Sequence, residues 1–281
     1  DSIGLRCPAH PVALALLRLL AQDAQPLRGI AAPSANRFGR VSPTSAAHVR
    51  SELGDALLVL DGGDCQRGIE STIVDCTRGQ PVLLRPGPLT RRQIQAACGL
   101  PVLLPAQAAA QRLQQAAPRA SGTLASHYAP RARVVLMDAA ALRIALQAFT
   151  AQGTGRPARL GLYLRSAELL GAAQTLLPDG MAPTQGLDPK PGPLVQKQVQ
   201  VHTQAQKQGQ KQGHQQKQAQ SQPQPQTVLE RMPRTASAAA RSLFATLRRL
   251  DAAGVQTIWV EAVPPGVAWE GVRDRLQRAA A

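Results

Sequence analysis

Apolar residues along the chain fall in short runs broken by glycine, proline and polar clusters, a pattern of alternating strands and helices. Ser2-Ile3-Gly4-Leu5-Arg6 reads as a short strand whose alternate positions could face one site. Pro11 then opens a Leu-rich helix over residues 12–21, apolar on nearly every face and so expected to be buried. A Gly-Ile-Ala-Ala run ending at Ala32 predicts a short buried strand. The chain leaves it through a loop, residues 31–44, in which Pro33 and Pro43 break regular hydrogen bonding. Thr44 or Ser45 can N-cap a helix over residues 46–53. Leu57-Leu58-Val59-Leu60 reads as a buried strand, and the following Gly62-Gly63 as a hairpin turn or, less simply, a phosphate cradle. A Gly68 hinge precedes a β-branched strand ending at Asp75, and a strand from Pro81 ends in Arg85 with Pro86-Gly87 behind it. Thr90 to Gly99 is a capped helix with Gly99 as its stop.

Beyond it the pattern changes. Pro101 to Arg119 is an Ala/Gln-rich linker with some helical tendency, and Ser121 to Pro130 is short, polar and carries His127-Tyr128. Val134–Met137 (strand), Ala139–Gln152 (helix), Arg159–Tyr163 (strand) and Ala167–Leu170 begin a second α/β unit. It is interrupted by Gln196–Gln226, with 15 glutamines in 31 residues and hardly a hydrophobe, a composition that cannot bury a core. The pattern resumes with an amphipathic helix Arg241–Ala253 closed by Gly254, a strand Val255–Glu261 and a last helix Trp269–Ala280. The expected organisation is α/β throughout. Residues 1–100 form one unit, 101–132 a linker or lid, and 133–281 a small α/β domain carrying a disordered insertion at 183–228.

Composition narrows the function classes. The formal charge of +15 suggests nucleic acid until it is located. All five lysines lie between Lys190 and Lys217, in or beside the Gln-rich stretch, and every other positive side chain is arginine. Aromatic residues are only 2%, which leaves few platforms for stacking single-stranded bases. Cys7, Cys65, Cys76 and Cys98 show no CxxC pairing or metal spacing and read as reduced core thiols of a cytosolic protein. No run approaches 18 apolar residues and no signal peptide is seen, so neither membrane insertion nor export is expected.

The chemistry concentrates in the loop over residues 31–44. Ser34, Asn36, Ser42 and Thr44 are neutral donors and acceptors there, and Arg37 and Arg40 are forks suited to phosphate or carboxylate. Arg85 is a charge at a strand's end. Glu70 is a single carboxylate, weak evidence for a general base. No Ser-His-Asp or Cys-His arrangement supports a covalent mechanism.

Four stretches in order carry a family resemblance: Pro33-Ser34-Ala35-Asn36-Arg37-Phe38-Gly39-Arg40-Val41-Ser42-Pro43-Thr44; Gly68-Ile69-Glu70-Ser71-Thr72-Ile73-Val74-Asp75; Pro81-Val82-Leu83-Leu84-Arg85-Pro86-Gly87; and Ser121-Gly122-Thr123-Leu124-Ala125-Ser126-His127-Tyr128-Ala129-Pro130. Together they resemble the threonylcarbamoyl-AMP synthase family in its longer form. That form pairs a YrdC-like domain, a twisted α/β sheet, with a Rossmann-like C-terminal domain that lacks a GxGxxG loop and to which we assign no catalysis. The resemblance implies synthesis of threonylcarbamoyl-adenylate and pyrophosphate from L-threonine, bicarbonate and ATP, for N6-threonylcarbamoylation of adenosine 37 in tRNA. It implies L-threonine binding by Arg6, Ser34 and Ser71. It implies ATP binding by Ser2, Asn36, Thr44, Arg85, His127 and Tyr128, the last two on a lid. ATP is then a substrate arriving with Mg2+, and no tightly bound cofactor is expected. The family's linker has Pro-Gly-Met where this chain has Ser-Gly-Thr. The chain opens at the family's T-V-G-V-R segment, without the Lys/Arg motif that grips phosphates. The N-terminal part of the YrdC-like domain is therefore expected to be lacking, and the chain alone to be silent. Two alternatives remain: a tRNA or double-stranded RNA binder, since YrdC-like domains carry a positive concave surface, and an inactive remnant or regulatory module.

Overall fold

Strand and helix signals of the C-terminal half resolve into one doubly covered parallel sheet. The computed structural model describes residues 2–111, 118, 120–122, 124, 126–151, 159–177, 184–185 and 227–281. The elements in chain order are α1 (Pro11–Ala21), α2 (Ala46–Leu53), β1 (Ile73–Asp75), β2 (Val82–Arg85), α3 (Arg91–Cys98), α4 (Pro105–Ala110), β3 (Arg133–Met137), α5 (Ala139–Ala151), β4 (Leu160–Leu164), α6 (Ala167–Gln174), β5 (Thr184–Gln185), β6 (Thr227–Arg231), α7 (Ala236–Ala252), β7 (Thr257–Glu261) and α8 (Glu270–Ala279).

The sheet order is β3-β7-β4-β6-β5, with every pair parallel. A strand covered on both faces buries consecutive residues, and β4 does so throughout. Its Leu160, Leu162 and Leu164 meet Leu142 and Leu146 of α5 and Leu169 of α6 on one face. Its Tyr163 faces Leu243, Phe244 and Leu247 of α7 and Leu276 of α8 on the other. The fold is mixed α/β around a parallel sheet, as the alternating pattern predicts. No helix among the described residues is long and apolar enough to cross a membrane.

The N-terminal half is organised differently. Its one sheet is the antiparallel ribbon β1–β2, with a bulge between Ile73 and Val74. Local signals hold there. Ser45 N-caps α2 by accepting from the His48 amide, Thr90 and Gln93 form a capping box on α3, and Gly99 takes the left-handed conformation that ends it.

Burial does not follow the apolar runs. Residues 2–6 and 57–60 form no strand and are exposed, apart from the half-buried Val59. Ala31 and Ala32 likewise lie in an exposed, irregular stretch. Helix α1 buries no residue. An apolar run gains its burial from a second layer, and among the described residues none covers these segments. All four cysteines are free and exposed, which corrects the expectation of core thiols.

Two segment boundaries also shift. Residues 102–110, read as linker, pack on β2: Leu103 bridges Val82, and Leu103 and Ala108 join Val82 in a small core. Within the span 183–228 read as disordered, Thr184–Gln185 pairs with β6, and Thr227 and Val228 belong to β6. The rest of that span, with the Gln196–Gln226 stretch, lies outside the described residues.

Candidate functional site

The ribbon brings the second and third motifs together. Ile73 pairs with Arg85 across it, which places Ser71 beside the Arg85 side chain. Arg85 is 2% exposed. It donates through Nε and Nη2 to the Ser71 carbonyl (3.1 and 2.9 Å) and through Nη1 to the Ser121 carbonyl (2.9 Å). Burial lowers the Arg85 pKa, the Arg275 charge adds to this, and Tyr128 and Glu70 oppose it.

The fourth motif crosses this point as a strap. His127 N–H donates to the Arg278 carbonyl (3.1 Å), and Arg278 Nη1 donates to the Leu124 carbonyl. Ala129 N–H donates to the Gly39 carbonyl (2.9 Å) and Ala129 bridges Arg40, so the strap ties the first motif to the C-terminal domain. Tyr128 is buried, with its ring stacked on Phe244 at 5.3 Å and the Arg275 guanidinium 5.2 Å from its centroid. Its φ of 63° is strained for a residue with a Cβ, by roughly 1–3 kcal/mol, and this packing holds it. The phenol end abuts Gly122 (φ 72°), where any Cβ would clash with the hydroxyl. The His127 ring meets Tyr128 at 4.2 Å and Phe38 at 6.1 Å. Burial lowers the His127 pKa and raises that of Tyr128.

The first motif is held by its own side chains and by α7. Asn36 Nδ2 donates to the Arg37 and Arg40 carbonyls (2.9 and 3.1 Å) and folds the loop on itself. Arg248 donates to the carbonyls of Val41 and Ser42 and pairs with Glu52. Thr44 is buried, its hydroxyl 3.2 Å from His48 Nδ1. Gly68 (φ 72°) lies so close to α7 that a Cβ would clash with the Ala240 and Arg241 carbonyls.

Glu70 proves to be a brace. Its carboxylate accepts from Ser42 Oγ (2.5 Å) and from Arg275 Nε (2.9 Å). Burial pushes its pKa up, but the Arg275 charge and these hydrogen bonds outweigh burial and hold it below the usual carboxylate range.

The structure thus gathers Ser71, Arg85, His127 and Tyr128, and links Asn36 to them through the Ser42–Glu70 bond and the strap. Ser2, Arg6 and Ser34 are exposed and make no hydrogen bond or ion pair among the described residues. Reading motifs missed Arg275, Arg248 and the brace role of Glu70. One signal was present: Arg275 interrupts the apolar stripe Val272, Leu276, Ala279 of α8.

A family model described as the threonylcarbamoyl-AMP synthase C-terminal domain matches residues 89–281. The chain belongs to the threonylcarbamoyl-AMP synthase family. A second model, described as Telomere recombination and naming the Sua5, YciO and YrdC proteins, matches residues 1–87. That match begins at the first residue and gives no support to the expectation that the N-terminal part of the YrdC-like domain is lacking. Threonylcarbamoyl-AMP synthase of Pyrococcus abyssi is 40% identical over 139 residues, 49% of this chain and 38% of that protein. That of Bacillus subtilis is 39% identical over 145 residues, 51% of this chain and 39% of that protein. The chain thus spans about two fifths of the length of these curated relatives. Among solved structures, P. abyssi Sua5 complexed with L-threonine superposes with a TM-score of 0.63 and 26% identity, covering 98% of this chain and 63% of that one. A variant of the same protein, with an adjacent histidine and tyrosine both replaced by alanine, gives 0.62 and 25%, covering 98% and 62%.

Proposed function

We propose that this threonylcarbamoyl-AMP synthase family member makes threonylcarbamoyl-adenylate from L-threonine, bicarbonate and ATP, releasing pyrophosphate, for N6-threonylcarbamoylation of adenosine 37 in tRNA. In this reading the threonine amine attacks the bicarbonate carbon and water leaves. An oxygen of the resulting carbamate then attacks the α-phosphorus, and pyrophosphate leaves. Such chemistry asks for positioning and for positive charge against developing negative charge, and needs no covalent enzyme intermediate.

One observation carries the reading: of the residues assigned to ATP, Arg85, His127 and Tyr128 gather at one point and Asn36 is tied to it through the strap, with polar atoms to spare. Asn36 Oδ1, His127 Nδ1 and the Tyr128 hydroxyl are each buried and without an aligned hydrogen-bond partner. Arg85 donates to the Ser71 and Ser121 carbonyls and to Ser121 Oγ (3.5 Å), contacts that a phosphate would replace in part when the strap moves. Since Arg85 is buried under Ser121 and Tyr128, ATP reaches it when the strap lifts, a lid role for His127 and Tyr128. The P. abyssi variant altered at an adjacent histidine and tyrosine is in keeping with this, since this sequence has one such pair, His127-Tyr128.

Ser71 takes threonine beside Arg85, with Arg6 as a fork for the amino-acid carboxylate and Ser34 as a neutral donor. Ser2 and Thr44 complete the ATP contacts. For Ser2, Arg6 and Ser34 the support is the sequence resemblance. Mg2+ enters with the triphosphate, as the family resemblance implies. Pyrophosphate release with threonine, bicarbonate and ATP tests the function. Arg85→Ala should raise the ATP requirement much more than the threonine requirement; equal effects, or none, would remove Arg85 from the nucleotide site.

A second reading, tRNA or double-stranded RNA binding, is favoured by a cleft of about 500 Å³ between the first motif, the strap and the end of α7. Arg37, Arg40, Arg131, Arg248 and Arg249 line it against Glu52 and Asp251, and Arg37 and Arg40 carry no ion pair among the described residues. RNA affinity that falls steeply with salt supports this reading, and salt-independent or undetectable binding removes it.

A further inference from the structure

We propose that Arg275, on α8 of the C-terminal domain, is a positioning residue that sets the distance between Ser71 and Arg85 from beneath the site. The inference rests on the function proposed above and adds a part to it that no motif of the catalytic region contains.

Among the described residues Arg275 is the largest fully buried side chain, at 0% exposure, on the same stripe of α8 as Val272, Leu276 and Ala279. A guanidinium stripped of water needs every donor answered, and here the answers come from the other half of the chain. Nε donates to Glu70 Oε2 (2.9 Å) and Nη2 to the Glu70 carbonyl (3.4 Å). Nη1 donates to the Pro86 carbonyl (2.9 Å) and to Asp274 Oδ2 (2.7 Å). The central carbon of the group lies over the Tyr128 ring.

Glu70 precedes Ser71, and Pro86 follows Arg85. One planar group therefore grips the backbone immediately before one site residue and immediately after another, and supports the ring of a third. Asp274 turns to Arg278 as well (3.0 Å), and the Arg278 carbonyl holds the His127 amide, so the same turn of α8 also seats the strap. Ser42 completes the brace on the other Glu70 oxygen. A fork of fixed shape does this and an ammonium does not, because Lys offers one point of charge where four separated acceptors must be met. A buried ion pair adds little net stability over apolar residues of the same volume, so the consequence of this one is chiefly geometric. Displacement of a reacting group by about 1 Å can cost on the order of 10²-fold in rate.

The test compares wild type with Arg275→Lys, Arg275→Met and Glu70→Gln in the full chain. Three readouts are taken: kcat and KM for threonine and for ATP, thermal midpoint, and hydrogen exchange of the Leu89 amide, which donates to Thr72 Oγ1, and of the His127 amide, which donates to the Arg278 carbonyl. Arg275→Lys should recover most of the midpoint lost in Arg275→Met, yet leave turnover roughly 10- to 100-fold below wild type. Exchange at those two amides should rise in all variants, while amides of β4 and β7 stay protected. Wild-type turnover and wild-type exchange at Leu89 and His127 in Arg275→Lys overturn the proposal. So does activity that returns in step with the midpoint, which would mark Arg275 as structural only. If Arg275→Met does not fold, Arg275→Lys and Glu70→Gln decide. If wild type itself makes no product, the proposed function falls, and the exchange measurements alone decide whether Arg275 braces the loop.

Discussion

In α7 the leucines and Phe244 are all buried, as are Ile258 and Val260 of β7, whereas α1 buries none and Leu58 stands 87% exposed. The motifs nevertheless lie in the region with the poorer core. The C-terminal domain closes two hydrophobic clusters around its sheet and then lends order outward through three arginines. Arg248 holds the first motif, Arg275 the second and third, and Arg278 the fourth. The chemical residues need mobile, polar surroundings, and the domain that holds them needs a core; this chain divides the two tasks between its halves.

The largest expected effect breaks both halves at once. Phe244 packs in the core and stacks on Tyr128, so Phe244→Ala should cost about 3–5 kcal/mol and loosen the strap, read by denaturant unfolding and exchange at Ala129. A loss confined to the sheet would show that the strap is held without it. Arg248→Met should cost about 1.5–3 kcal/mol, felt only in the first motif. Faster exchange over residues 36–44 with unchanged β4 amides is the expected pattern, and uniform loosening would end the division of tasks. Thr90→Ala removes a capping box and should cost about 1 kcal/mol, a local change visible as fraying of α3. Leu58→Ser should stay within about 0.5 kcal/mol. A drop of many degrees in midpoint would mean that Leu58 is covered, and the contrast between the halves would fail.

The smallest effect is one of pH. Burial, reinforced by Arg248, lowers the His48 pKa below the ordinary value of about 6.5. The unfolded chain then takes the proton first, so stability falls as pH drops through about 6.5 toward the folded value. His48→Gln should flatten part of that slope between pH 7.5 and 5.5. An unchanged slope would exclude His48 as its source.

By itself the sequence determined whatever depends on near neighbours. The Thr90–Gln93 box, the stops at Gly99 and Gly254, the Ser45 cap, and the strands ending at Met137 and Glu261 were all legible. Each is set by contacts within about four residues or by side-chain alternation along one strand. The same logic misread Leu57–Leu60 and α1, because an apolar run states only that it would bury if something covered it. The four ordered motifs were legible as motifs, and with them the family. What held them was not. Tertiary structure alone decided that Glu70 faces Arg275, 205 residues away, and that Arg248 reaches Val41 and Ser42 across 207 and 206 positions. No local rule links charges so far apart in the chain; they meet because α7 and α8 bury their apolar faces on the sheet and carry their arginines to the loops above.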